Sequence, residues 1–286
     1  MDAFNFPAAP DTRFPGVHVW VDLAIWTIAI LCAVHCLRDW RRTGSPLGLV
    51  LLLGGALAYL NEPVDDVLGL VHHPRAGQNI VLDTIGPVPM WGLPTYIIFF
   101  GFVPLVVLRE IERKGFSPRV FWAGVLSTFV LDLLLELPVL YVDGGLYQYY
   151  GPGGEAPLTL FRFPVYWLFI NTTGPIMCAA VVLTFRDHFR GWRAPFLVAL
   201  PLMTDAACSI VVGLPVYSGL HVPDAPGAVP LLAAAATCVV GIFVLDALAT
   251  WLAAADRHRR RELAGWVERR PDLAPEPHRG VTPSPT

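Results

Sequence analysis

The stretch Leu131-Asp132-Leu133-Leu134-Leu135-Glu136-Leu137-Pro138 decides how the chain is read, because it sets two carboxylates in an otherwise apolar run. Asp132 and Glu136 are four residues apart, so on a helix they stand one turn apart on a shared face. The run over residues 120–141 is long enough to cross a bilayer, where an ionisable side chain costs at least ~2.5–3.5 kcal/mol. Two such groups on one face are expected to look into a cavity and not at lipid. Like-charged carboxyls in a poorly solvated place do not both ionise easily. That leaves a protonated acid beside a carboxylate, an arrangement suited to proton transfer. A buried polar network that only fixes helix packing is the competing reading of the same pair.

Working outward, apolar residues make up 55% of the 286 and charged residues 15%, with a mean hydropathy of +0.54. A soluble chain of this length carries more charge. Seven apolar spans are read, at 20–37, 47–61, 91–108, 120–141, 165–185, 194–216 and 228–254. The second is short unless it runs on through Asn61-Glu62-Pro63. Basic residues concentrate in alternate connections, the others holding only the scattered Arg13, Arg75 and Arg162: Arg38, Arg41 and Arg42 come after span one, and Arg109, Arg113, Lys114 and Arg119 after span three. Arg186, Arg190 and Arg193 follow span five, and Arg257, Arg259, Arg260 and Arg261 follow span seven. The expected fold is therefore an all-α bundle of seven transmembrane helices, N-terminus outside and C-terminus cytoplasmic. It divides into an external segment (1–19), a membrane domain (20–255) and a cytoplasmic tail (256–286), basic at first, then Pro-rich and read as disordered. The first span lacks a basic n-region and is read as a retained helix. The five cysteines all lie within spans at no metal-type spacing, so neither a disulfide framework nor a metal site is expected from them.

Other polar residues sit near the outer ends of the spans. Glu62, in Asn61-Glu62-Pro63-Val64-Asp65-Asp66, either reaches headgroups at a helix end or faces the same cavity as Glu136. Asp65 and Asp66 are further out and expected to be solvated, although Asp65 lies near Glu62 on a helix. Tyr147 and Tyr149, in Gly144-Gly145-Leu146-Tyr147-Gln148-Tyr149-Tyr150-Gly151-Pro152, either line a pocket mouth or belong to an interfacial belt. Asn171 interrupts span five and either hydrogen-bonds the carboxyls or joins helices. Asp205 and Asp246 are lone intramembrane acids, and Trp91 and Tyr96 complete the binding candidates with Asp65 and Asp246. His72 and His73 are adjacent, poor geometry for chelation from one helix face, and no His-rich cluster is read. The histidines are too few for a di-iron membrane oxygenase. The only lysine, Lys114, lies in a connection, which excludes a retinal Schiff base.

Asp132-xxx-Glu136 followed by Gly145-Leu146-Tyr147-Gln148-Tyr149 resembles the avermectin spirocyclase family of actinobacterial membrane proteins. There an acid-xxx-acid helix runs into a Gly-aromatic-Tyr-x-Tyr turn. Asn61-Glu62-Pro63 is similar to an acid-Pro step of that family, with Glu in place of Asp. Pro94-Thr95-Tyr96-Ile97-Ile98-Phe99-Phe100 is similar to its third span. The resemblance covers roughly residues 50–180 and weakens beyond. It implies a bacterial cell-membrane enzyme closing a spiroketal on a polyketide with loss of water, with Asp132 and Glu136 as the catalytic acids assisted by Glu62. No cofactor or metal is expected. The expected partners are a lipophilic small molecule and the bilayer, with no nucleic acid. Two other readings stay open. An integral-membrane terpene cyclase would use Glu62 and Asp246 to protonate an epoxide or alkene, and a transporter, lipid carrier or receptor would use the polar interior only for binding. Against transport, the sequence offers no inverted repeat and no pair of broken helices in matching positions.

Overall fold

The computed structural model describes residues 16–142, 145–150 and 155–269. Most of the predicted external segment, Asp143 and Gly144 and Gly151 and Pro152 of the aromatic loop, and the Pro-rich end of the tail lie outside the described residues. Among the described residues seven helices are long and apolar enough to cross a membrane: α1 (Val17–Thr43), α2 (Leu47–Gly69), α3 (Gly92–Lys114), α4 (Pro118–Tyr141), α5 (Tyr166–Phe185), α6 (Phe196–Leu220) and α7 (Ala228–Arg269). The protein is an all-α, multi-pass membrane protein. Large apolar side chains such as Trp20, Leu31, Leu126, Leu134 and Phe243 remain exposed on its outside, as lipid-facing residues do. The described cysteines are free thiols.

Packing without a hydrophobic driving force relies on close backbone approach. At Gly55 of α2 an added Cβ would lie 2.7 Å from the Gly101 amide nitrogen of α3, and at Gly101 one would lie 2.8 Å from Leu52 Cα. The neighbouring Gly54 faces α6, where its Cβ would come within 2.6 Å of the Val198 carbonyl. Two successive glycines thus let α2 touch two helices at once, while α5 is the most buried of the spans.

Both α2 and α3 are broken beside that crossing. Pro63 has no N–H for the Tyr59 carbonyl, so the Glu62 amide takes it and the chain tightens to a 3₁₀ turn over Tyr59–Asn61. The helix then restarts at Glu62–Gly69, so span two continues well beyond residue 61. In α3 a π-helical turn over Ile97–Phe102 precedes Pro104, whose missing N–H leaves the regular ladder open. The two breaks lie in consecutive helices and not at matching positions of a repeat.

At the arginine-rich end Arg109 of α3 bonds Asp39 of α1 and Glu112, each at 2.7 Å, and Arg186, just past the end of α5, pairs with Glu112. The last helix also exceeds its predicted end at 254, continuing to Arg269, so the first part of the expected disordered tail is helical. Asp256 explains the continuation. Its buried carboxylate accepts the Phe116 amide at 3.0 Å and bonds Arg259 and Arg260 at 2.9 Å, tying α7 to the α3–α4 turn. Asp256→Ala is expected to destabilise the fold by about 1.5–3 kcal/mol, the worth of hydrogen bonding to a charged group. The check is a lowered thermal midpoint of the detergent-solubilised protein.

At the opposite end short strands close the bundle. Leu70 adopts a left-handed conformation, φ 52°, and turns the chain back from α2 into β1 (Val71–His72). A hairpin of β2 (Ile80–Asp83) and β3 (Pro87–Pro89) leads into α3. After α4, β4 (Gln148–Tyr149) pairs with β1, and β5 (Thr159–Leu160) and β6 (Phe163–Pro164) lead into α5. Gln78 secures this end: its amide donates to Leu146 O at 2.6 Å and its oxygen accepts the Trp91 indole N–H at 2.9 Å.

Candidate acid-lined site

Along α4 the buried positions Phe121, Val125, Thr128, Asp132, Leu135 and Val139 are spaced alternately four and three apart, with Leu140 buried beside them at the end, while Leu126, Val130 and Leu134 face out. That one stripe turns Asp132 and, one turn on, Glu136 toward the bundle interior. The restarted half of α2 brings Glu62, Asp65 and Asp66; the start of α3 brings Tyr96; α5 brings Asn171. Trp91, Tyr147 and Tyr149 close the end. All of these residues line a single cavity with a free volume of about 50 Å³, room for a few water molecules. Asp246 alone among the predicted site residues is not there.

Hydrogen bonds give each acid a distinct setting. The Asn171 side-chain amide nitrogen donates a bifurcated bond to both oxygens of Asp132, each at 3.2 Å. Glu136 receives only the Tyr149 hydroxyl, at 3.3 Å on Oε2. Glu62 receives the Tyr96 hydroxyl at 2.5 Å on Oε2 and turns Oε1 toward His73. Burial pushes the Tyr149 phenol well above its ordinary range, and the neighbouring Glu136 and Asp132 add to it, so this hydroxyl stays protonated as a donor.

Asp65 and Asp66 are not solvated, contrary to expectation: they are 8% and 7% exposed. The break at Tyr59–Asn61 and the strand cap fold over them and keep the second half of α2 inside. The hydroxyl of Ser209, in α6, donates to Asp65 at 2.6 Å and also meets the Tyr217 hydroxyl at 3.0 Å. Asp205, also on α6 and buried, accepts the Asn61 amide at 2.8 Å and sits behind the cavity wall. Asp246 is exposed. The buried stripe of α7 runs through Leu245, Leu248, Ala249 and Leu252, and Asp246 falls just off it.

His73 and Asp66 escaped the sequence reading. His72 and His73 are poorly placed for chelation as neighbours on a helix, but they follow the αL turn in extended chain, where successive side chains point to opposite faces. His72 is half-buried; His73 is 2% exposed and points inward. Its ring is stacked 5.2 Å from Tyr147 and lies 5.6 Å from Trp91. Burial disfavours the charged imidazole, yet Asp66 and then Glu62 outweigh it and hold its pKa at about 10. The retrievable signal was Glu62-xxx-Asp66, the same four-residue spacing as Asp132-xxx-Glu136. Chemically, the site combines five lining acids with one histidine and no lysine or arginine.

Comparison with family models, with curated proteins and with solved structures gives no match for this chain.

Proposed function

We propose that the protein is a membrane-embedded acid–base cyclase for a lipophilic metabolite, in its most concrete form a spirocyclase that closes a spiroketal on a polyketide hydroxy-ketone. The observation that carries this reading is the convergence of Asp132, Glu136 and Glu62 from two helices on one cavity with Tyr96, Tyr149 and Asn171. A hemiketal, formed from the ketone and the first hydroxyl, loses its own hydroxyl as water when an acid protonates it. The second hydroxyl then attacks the oxocarbenium carbon and gives up its proton. Glu136, with one oxygen free of protein donors, suits the acid; Asp132, held by both Asn171 bonds, suits the base. Glu62 adds negative charge to the wall facing the cation. A proton passing from Asp132 to Glu136 resets the pair.

About 50 Å³ does not hold a polyketide, so the substrate binds with the cap parted. The cap is suited to this. Its β1–β4 ladder is two residues long on each strand, a pairing that is marginal alone. Larger spaces of about 500 and 560 Å³ adjoin it, the first beside His73 and Val71, the second beside Tyr147 and Tyr149. The isoprenoid alternative loses one of its two acids, since Asp246 is exposed on α7.

The test is metabolite profiling of membranes carrying wild type or the Asp132→Asn/Glu136→Gln double variant, supplied with dihydroxy-ketone polyketides and, separately, epoxidised prenyl compounds. The expected product has the substrate's mass minus water and is absent in the variant. An isomer of unchanged mass from the prenyl compound replaces the spiroketal reading with terpene cyclisation. Identical profiles from both proteins on both substrates overturn the cyclase reading for these classes and leave a binding role.

A further inference from the structure

We propose that Glu62, Asp66 and His73 form a site for one divalent transition-metal ion of the zinc type, with its remaining coordination position open to the acid-lined cavity. Each of the three offers one ligand atom, and these atoms lie within 4.8 Å of one another. His73 Nε2 is 3.3 Å from Asp66 Oδ1 and 3.6 Å from Glu62 Oε1. Ligands about 2.0–2.2 Å from a tetrahedral zinc are about 3.3–3.6 Å apart, so both edges have the span such an ion sets.

The histidine supplies the independent sign that something is bound. It is 98% buried (2% exposed), its Nε2 is aimed between the two carboxylates at ion-pair distance without making a hydrogen bond, and its Nδ1 has neither hydrogen bond nor ion pair. A buried polar atom without a partner is uncommon and asks for a ligand. Charge argues the same way. Glu62 and Asp66 offer two carboxylates to balance a divalent ion, and no lysine or arginine lines the cavity to compete for them.

The shell around the three ligands is that of a metal centre. Tyr96 holds the second oxygen of Glu62 at 2.5 Å, which leaves Oε1 turned toward His73. Tyr147 stacks on the imidazole and Trp91 packs against both rings, holding its orientation. Glu62 and Asp66 come from one helical turn, and the αL bend at Leu70 returns His73 to them. Imidazole with two carboxylates is a set for zinc and its first-row neighbours, whereas calcium takes six to eight oxygens. Three protein ligands plus one open position is the arrangement in which zinc binds water or a substrate oxygen. This assignment is tested independently of the cyclase reading, because its test needs no substrate; with the ion bound, Glu62 is its ligand and the negative charge facing the oxocarbenium ion is left to Asp132.

The experiment uses the full chain, purified in detergent with no polyhistidine tag, stripped with a chelator and then titrated with Zn²⁺ or Co²⁺. Expected are about one equivalent of tightly bound ion, a rise in thermal midpoint, and visible Co²⁺ absorption of the tetrahedral kind. Asp66→Asn and His73→Gln are expected to lose the ion. Tyr96→Phe is expected to weaken it by about 10–100-fold, and Asp132→Asn to retain it. Wild type that takes up neither ion and shows no shift overturns the site and leaves His73 as an ion-pair partner only. So does uptake by folded Asp66→Asn and His73→Gln equal to that of wild type. If either variant fails to fold, the wild-type Co²⁺ spectrum and the Tyr96→Phe affinity decide the matter.

Discussion

Glu136→Gln is expected to lower the rate of cyclisation by about 10²- to 10⁴-fold, the contribution of a positioned general acid, while leaving the protein folded. Glutamine keeps the shape and the acceptor for the Tyr149 hydroxyl, 3.3 Å away, but carries no transferable proton. Asp132→Asn is expected to cost a similar factor for a different reason. The Asn171 amide now donates to both Asp132 oxygens, and an asparagine offers only one acceptor in their place. The double variant is expected to be little worse than either single one, because the two groups act in one proton-transfer sequence. Tyr149→Phe removes only the hydrogen bond that orients Glu136, so its loss is expected to be smaller. Losses that simply multiply would indicate that the two acids act separately and would remove the shared-proton mechanism. Initial rates on a spiroketal precursor, in membranes matched for protein content, make the comparison.

Gly101→Val is expected to abolish or severely reduce folded protein, with Gly55→Val behaving the same way. Overpacking costs about 1–3 kcal/mol in a core that can yield, and occasionally more. Here the atoms met are backbone: Leu52 Cα at 2.8 Å and Leu51 O at 2.9 Å from a Cβ at Gly101, and the Gly101 amide from one at Gly55. Side chains can rotate away, but two helix backbones at their crossing cannot. Gly124→Ala is the matched control. It lies on α4 with nothing within 4 Å of its added Cβ, so alanine there is expected to be neutral or to stabilise by a few tenths to about 1 kcal/mol. Thermal midpoints and size-exclusion profiles in one detergent distinguish the two sites. Equal behaviour of Gly101→Val and Gly124→Ala would contradict the close α2–α3 crossing.

These two predictions differ in how much of their basis the sequence already held. Asp132 and Glu136 could be found without coordinates, because a charge inside a long apolar run carries its own energetic penalty and a spacing of four assigns it a face. Glu62 was legible through Pro63, whose missing donor marks a change of helix direction. The Gly55–Gly101 contact was not legible. Glycine is frequent in membrane helices, and nothing in the chain says which glycine meets which backbone. Asp65 and Asp66 were misplaced because adjacent acids after a proline look like a helix end, and only the strands folded over them show that they are buried.

The sequence by itself determined the seven membrane helices and the inward face of α4, since hydropathy, helix period and the cost of buried charge act over one segment at a time. The tertiary structure decided which acids share a cavity. In lipid both faces of a helix are apolar, so hydropathy alone does not say which face of α7 meets the bundle, and only packing shows Asp246 outside it. The same holds for His73. It reaches Glu62 and Asp66 through a left-handed turn at Leu70 and a two-residue strand pair with β4, and a strand pair forms only where two distant segments come together.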